Sequence, residues 1–409
     1  MKNFGFGCIG IGQGGTNIAE QFATEFRSIA IDTAAQNLNN CSNIKESLRF
    51  HAKINEIGGA GKEVKLGEKA IIMHQDNISN MISLNFSSLN YVFLAASLGG
   101  GTGTLGITQV SRILSSLGIP HGMIVTLPAK QEGTDEKVNA AIGLYAIEQI
   151  RRKFRNLHSI VVIENEKLKE VILNSHDVAY ENMWEKANNY IFKKFYNVLQ
   201  FTQETSSYTI DGQDYIKVLM KDGYMIFGST VVDALNNELI DDVKNILGNN
   251  IFVDHLELNK SKGLAMVINR PEKYKDSRAI EHLFAEMNSF IGSGTFAHGI
   301  YNTKNNLLDR AKDIMSKKSI EIFTVLSGMP FPIKRYNQLK QQSEDEINSY
   351  KGKDDLVDFD IDLDSFAGYI DTFEKQKEDI EFCMFEHDEP SEKLSPINWD
   401  NFKKSEGGI

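Results

Sequence analysis

Cysteine is scarce in this chain. Cys8, Cys41 and Cys383 are the only three in 409 residues, too few and too scattered for a disulfide framework or a zinc site. Long apolar runs are missing too. A run such as Tyr91 to Ala96 falls far short of the ~20 residues that span a bilayer, and the first ten residues turn glycine-rich before a secretory apolar core is complete. These absences lead us to expect a cytoplasmic protein in a reducing compartment, with no membrane partner. A basic surplus is also lacking: 44 Lys and Arg face 55 Asp and Glu, a net charge of −11. Strong direct binding to DNA needs Lys and Arg to displace counterions, so it is not expected here.

The acidic excess is concentrated at one end. Residues 351–409 hold 17 acidic and 7 basic side chains, a net of −10, and the preceding 350 residues are close to neutral. In this tail Leu356, Phe359, Ile361, Leu363 and Phe366 interleave with Asp358, Asp360, Asp362 and Asp364. Two readings stand: a solvated tail, or a docking segment for a basic partner.

What the chain does have is ordinary globular material, 41% hydrophobic and 24% charged, in a length that suits two to three domains at ~100–200 residues each. Short apolar strands are expected at Phe6–Ile11, Ser28–Ile31, Tyr91–Ala96, His121–Thr126 and Ser159–Ile163, with a helix over Asn17–Glu25. Strands separated by helices imply βα units and a parallel sheet. Residues 178–203 contain neither Pro nor Gly, and Met183, Ala187, Ile191, Phe195 and Leu199 recur at helical spacing. One long helix is expected there. A second α/β region follows, with strands at Tyr224–Val232, Gly263–Asn269, Thr295–Tyr301 and Ser319–Ser327. Helices are expected at Asp214–Met220, Asn236–Leu247 and Ser277–Phe290. The expected division is 1–177, a first α/β domain; 178–203, the long helix; 204–333, a second α/β domain; 334–350, a further helix; and 351–409, the acidic tail.

Three glycine loops carry the chemistry. Gly10 to Gly15 matches G-x-G-x-x-G between a strand and a helix, and Asp32 follows roughly 20 residues on, as a ribose-binding acid would. Alone, this loop suits a dinucleotide, another nucleotide or a tight turn. Gly99, Gly100, Gly101, Thr102, Gly103 and Thr104 form a second run, able to line up amides around an anion, with two hydroxyls as further donors. Gly58 to Lys62 adds a third; Glu63 after Lys62 and Glu56 in place of the first glycine exclude a Walker A loop. A dehydrogenase needs one phosphate loop. Three converging on the carboxyl ends of strands suit a nucleoside triphosphate.

With these residues the chain resembles the tubulin/FtsZ superfamily over about residues 5–333. The run Gly99–Thr104 is similar to the signature GGGTG[ST]G, with Leu105 in place of its last glycine. Gly12, Gln13, Gly14, Gly15, Thr16 and Asn17 resemble the family's first phosphate loop, Asp32 and Thr33 open its second, and Gly59, Ala60 and Gly61 resemble its third. Glu132 with Gly133 resembles the ribose-contacting pair, although Thr134, Asp135 and Glu136 stand where a basic residue is expected. Asn165 resembles the guanine-recognising asparagine, Trp184 stands at the base-stacking position, and Asn189 at the position that bonds the guanine edge. Their plainer readings are core packing for Trp184 and a surface polar residue for Asn189. Thr209 to Asp214 resembles N-x-D-x-x-D, with Thr209 replacing the asparagine. By itself such an Asp211/Asp214 pair is usually helix capping; its place after the long helix makes it the expected catalytic pair.

The resemblance implies an α/β fold: a tubulin/FtsZ-like GTPase domain with a parallel sheet, a long central helix, a second α/β domain and an acidic C-terminal tail. It implies GTP bound with Mg²⁺, self-association head to tail into filaments, and a site completed when Asp211 and Asp214 meet the nucleotide of the next subunit. No metal-ligating side chains are expected. The departures and the acidic tail are most similar to the branch that segregates plasmid or phage DNA, where the tail engages a basic DNA-binding adaptor protein. The alternatives are a cytokinetic FtsZ-type GTPase and an NAD-dependent Rossmann oxidoreductase.

Overall fold

The computed structural model describes residues 5–54, 58–175, 182–204, 208–232, 251–272, 277–302 and 320–351, with residues 179, 206, 243 and 247 between them. The acidic segment 352–409 lies outside the described residues. So does the helix expected over Asn236–Leu247, apart from Val243 and Leu247, which are buried.

The chain begins with β1 (Phe6–Ile11), α1 (Gly12–Phe22), β2 (Arg27–Asp32), α2 (Ala35–Asn39) and β3 (Arg49–His51). Helices α3 (Val64–Met73) and α4 (Gln75–Phe86) lead to β4 (Tyr91–Ser97). Then come α5 (Gly101–Ser116), β5 (His121–Leu127), α6 (Thr134–Lys153), β6 (Leu157–Glu164) and α7 (Asn165–Ser175). Helix α8 (Met183–Phe201) is followed by α9 (Gly212–Leu219), β7 (Gly223–Val232), β8 (Gly263–Arg270), α10 (Ser277–Ile291), β9 (Thr295–Asn302), β10 (Ile320–Met329) and α11 (Ile333–Lys351).

These strands form one sheet in the order β3-β2-β1-β4-β5-β6-β7-β10-β8-β9. From β3 to β7 the neighbours are parallel, as the βα alternation requires. β10 runs antiparallel between β7 and β8, so the sheet is mixed, and β8 and β9 are again parallel. The register from β6 to β7 holds only two residue pairs, Ser159 with Gly223 and Ile160 with Tyr224. The described residues all lie within one compact unit. Among the described residues no helix is long and apolar enough to cross a membrane.

Helix α8 compensates for that thin seam. Met183, Ala187, Ile191, Phe195 and Leu199, spaced to share one face, are all buried. The ring of Phe195 lies 4.8 Å from Phe93, 5.5 Å from Phe22 and 6.5 Å from Phe6, all before α8, and 6.3 Å from Phe227 on β7. Further along, Phe201 meets Tyr301 at 4.8 Å and Phe323 at 5.4 Å. One helix thus packs aromatic rings against both halves of the sheet, at separations where edge and tilted contacts are favourable.

Two helices start earlier than the pattern suggests. The helix expected at Asn17–Glu25 begins at Gly12, because Gly12 takes φ +69° and turns the chain straight out of β1. Helix α9 begins at Gly212, two residues before its expected start, because the carboxylate of Asp211 accepts the Gln213 N–H at 2.6 Å and caps it.

Truncating the central ring, Phe195→Ala, is expected to cost about 3–5 kcal/mol of unfolding free energy, read from the denaturant midpoint. A second expectation concerns His121, fully buried at the start of β5. Its ring bonds the Ile119 carbonyl through Nδ1 at 2.9 Å, which makes Nδ1 the donor and leaves Nε2 to accept from the Ser111 hydroxyl at 2.7 Å. Burial disfavours the charged ring and pushes its pKa down to about 4. The stabilisation from this neutral imidazole is complete above the unfolded value near 6.5 and fades as pH falls toward 4. Between pH 7 and 4.5 the native chain should lose about 2–3 kcal/mol more stability than His121→Asn, measured by urea unfolding at both pH values.

Candidate functional site

A cleft of about 680 Å³ opens where β1, β2, β4, β5 and β6 end, and the three glycine loops line it. Helix α1 starts at one wall and α5 at another. Neither has a side-chain cap or an acidic residue in its first turn. Apart from the Gly101 N–H, the leading amides of both helices are therefore available to an outside acceptor, and both helix dipoles place partial positive charge at the opening. The two starts are pressed together: a Cβ added to Gly12 would sit 2.8 Å from the Gly103 nitrogen. The third loop reaches the same place by positive φ at Gly59 and Gly61 (+79° and +56°). It is fastened by the Gly101 N–H to the Gly61 carbonyl at 3.0 Å, and by the Gly59 N–H to the Thr33 carbonyl at 3.1 Å.

Most of the residues singled out from sequence meet here. Gly12, Gln13, Gly14 and Asn17 line the cleft, with Asp32 and Thr33, then Gly59, Ala60 and Gly61. Gly99 and Gly100 line it just before α5, Gly101, Thr102 and Gly103 from its first turn, and Glu132, Asn165 and Trp184 complete the wall. The hydroxyls of Thr33 and Thr102 are 2.6 Å apart, and Thr33 also accepts the Ala60 N–H at 3.0 Å, which ties the second and third glycine loops to the end of β2.

Four residues are placed elsewhere. Gly15, Thr16, Thr104 and Asn189 do not line the cleft. The Thr104 hydroxyl donates to the Gly100 carbonyl at 2.6 Å and that of Thr16 to the Gln13 carbonyl at 2.9 Å, so each serves its own helix. Asn188, and not Asn189, joins Trp184 on the cleft wall. At 3.6 residues per turn, position 188 lies four residues from Trp184 on the same face, while 189 is turned about 140° away. The spacing from Trp184 was the available signal. Lys62, Gln131 and Glu136 also line the cleft without having been singled out.

Asp32 does not present a free carboxylate. It is 2% exposed and accepts from the Ala34 N–H at 3.0 Å and the Asn37 amide at 2.8 Å. Burial raises its pKa, and those hydrogen bonds act in the opposite direction. A ribose-binding acid would keep its oxygens for a sugar, so this geometry disfavours the dinucleotide reading.

Asp211 and Asp214 are not in the cleft. Trp184 is the second residue of α8, whose 19 residues carry the chain about 28 Å away. Beyond it, the Leu219 carbonyl that ends α9 accepts from Tyr91 at 3.3 Å and from Ser159, residues that start β4 and β6. The α9 region therefore reaches the edge of the sheet opposite the cleft. The approach to Asp211 is pinned to β9. Tyr208 pairs with Ile300, the Ser206 hydroxyl donates to the Ile300 carbonyl, and the Ile210 N–H bonds the Tyr301 hydroxyl at 3.0 Å. Asp211 is exposed, and Asp214 is paired with Lys217 at 2.7 Å. Among the described residues no group of three or more His, Cys, Asp or Glu side chains is placed to hold a metal.

Residues 7–173 match the Tubulin/FtsZ family, GTPase domain. The cell division protein FtsZ of Buchnera aphidicola is 25% identical over 64% of this chain, an alignment spanning 65% of that protein, just under two thirds of its length. The tubulin-like protein TubZ of Bacillus cereus is 24% identical over 85% of both chains. In fold, the chain is similar to TubZ of Bacillus thuringiensis serovar israelensis in a GTPγS-form protofilament, with a TM-score of 0.72 at 19% identity over 85% of this chain and 93% of that one. It is also similar to an FtsZ dimer from M. jannaschii, with a TM-score of 0.60 at 22% identity, covering 80% and 89%. The fold is that of the tubulin/FtsZ GTPases.

Titration with a fluorescent guanine nucleotide tests the placement on α8. Asn188→Ala should weaken binding about tenfold, as loss of a buried polar contact does, and Asn189→Ala less than about twofold.

Proposed function

We propose that this chain, with its Tubulin/FtsZ-family GTPase domain over residues 7–173, binds GTP in the glycine-lined cleft and hydrolyses it within head-to-tail filaments of its own copies. One observation carries this reading: two uncapped helix starts converge on one cleft, while an exposed Asp211 and a half-buried Asp214 sit beyond the far end of α8. Phosphates suit the first place. Within one subunit the two carboxylates belong to the opposite edge of the sheet, so they reach a nucleotide held by the next copy.

In this arrangement the amides of the glycine loops hold the phosphates, Thr102 donates beside them, Trp184 flanks the base, and Asn165 and Asn188 bond its edge. Glu132 faces the ribose. Asp211 and Asp214 of the adjoining copy orient the water that attacks the terminal phosphorus, and GDP leaves as phosphate is released. Phosphoryl transfer asks mainly for positioning and charge stabilisation. Magnesium fits the cleft, whose described lining residues include three carboxyl groups and no His or Cys. It would take most of its shell from phosphate and water, and would supply charge neutralisation when bound.

The finer role is segregation of plasmid or phage DNA through a basic DNA-binding adaptor that docks on residues 351–409. Supporting it are the net −10 of that segment and a likeness to TubZ over 85% of the chain. Opposite charge on adaptor and tail would speed encounter and favour that partner.

GTP turnover per subunit and light scattering, followed together against protein concentration, should rise from one shared critical concentration. Asp211→Ala is expected to cut turnover at least about 100-fold while still scattering and still binding GTP. Turnover strictly proportional to concentration, without scattering, would sink the filament mechanism.

A further inference from the structure

Among the described residues that line the cleft, the ionisable side chains are Asp32, Lys62, Glu132 and Glu136: three carboxyl groups and a single cation. A nucleoside triphosphate brings more negative charge into the same space. Asp32 is occupied by its own loop, and Glu132 accepts the Ala129 N–H at 2.7 Å. Glu136 differs. It pairs with Lys62 through one oxygen at 2.7 Å, and its other oxygen, Oε2, is buried without a hydrogen-bond partner.

Lys62 is fixed at its backbone, while its side chain reaches solvent and holds only Glu136. The Asn139 amide donates to its carbonyl at 2.8 Å and to that of Gly99 at 3.0 Å, which clamps the third loop beside the start of α5. Its side chain is 53% exposed. The bond to Glu136 raises its pKa, with smaller contributions from Asp135 and Glu132, so the ammonium stays charged at neutral pH. The pair lies beside Gly133, where a Cβ would come within 3.9 Å of Lys62 Nζ. A cation from another loop thus sits beside Gly133, although Thr134, Asp135 and Glu136 follow it in sequence.

We propose that Lys62 distinguishes nucleoside triphosphate from diphosphate in this cleft, with Glu136 as its holder. With a diphosphate bound the ammonium stays on the carboxylate. With a triphosphate it moves to the terminal phosphate oxygens, a more highly charged acceptor. The proposal rests on the GTP reading above.

The test is equilibrium titration of the full chain, below its assembly concentration and with magnesium, using fluorescent GTP and GDP. Lys62→Ala should lose about tenfold in GTP affinity and less than about twofold for GDP. Lys62→Arg should recover most of the GTP affinity. Glu136→Gln, which frees the ammonium, should tighten GTP about threefold or more and leave GDP unchanged. Equal losses for both nucleotides in a folded Lys62→Ala, or no loss, would overturn the proposal. If circular dichroism shows that Lys62→Ala fails to fold, Glu136→Gln decides: tighter GTP supports the proposal and unchanged GTP overturns it. A wild-type chain that binds neither nucleotide overturns the GTP reading, and this proposal with it.

Discussion

The edge-on and tilted packing of aromatic rings along α8 is the contact on which the rest of the molecule depends. Strand pairing from β6 to β7 amounts to two residue pairs, with one further backbone bridge from Ile163 of β6 to Phe252, so side-chain packing has to help hold β1–β6 and β7–β10 in register. Phe195 touches rings from both halves, and Phe201 extends the contact to β9 and β10. The same helix places Trp184 at the cleft at one end and leads toward Asp211 at the other. Any tilt of α8 therefore moves the cleft wall and the approach to Asp211 together.

The cleft is governed by a conflict of charge. Its shape gathers amides and helix dipoles for an anion, yet its wall carries three carboxyl groups and one ammonium. Hydrogen bonding settles part of the conflict, since Asp32 and Glu132 are directed onto backbone N–H groups. What is left is concentrated at Lys62 and Glu136, at the junction of the third loop, α5 and α6. Selectivity for a charged ligand follows from such a balance more than from the depth of the pocket.

Much of this was legible in the sequence. The strand at Phe6–Ile11 and the glycine loops announce the fold, because only glycine allows α1 and α5 to begin so close to one another. The buried stripe from Met183 to Leu199 follows from spacing alone. Other features were hidden because they are three-dimensional. The antiparallel insertion of β10 between β7 and β8 leaves no local mark. Asn188 and Asn189 are neighbours in sequence but face different ways once the helix forms. Lys62 reads as an ordinary loop lysine until folding sets it against Glu136, 74 positions later in the chain.

The segment that leads to Asp211 has a second effect through its pairing with β9. As the last strand in the sheet order, β9 presents backbone groups that could accept a strand from another molecule. Tyr208 and Ser206 take up both backbone groups of Ile300 on that rim. The segment that leads to Asp211 thus also blunts a sticky margin and guards against amyloid-like side-on growth.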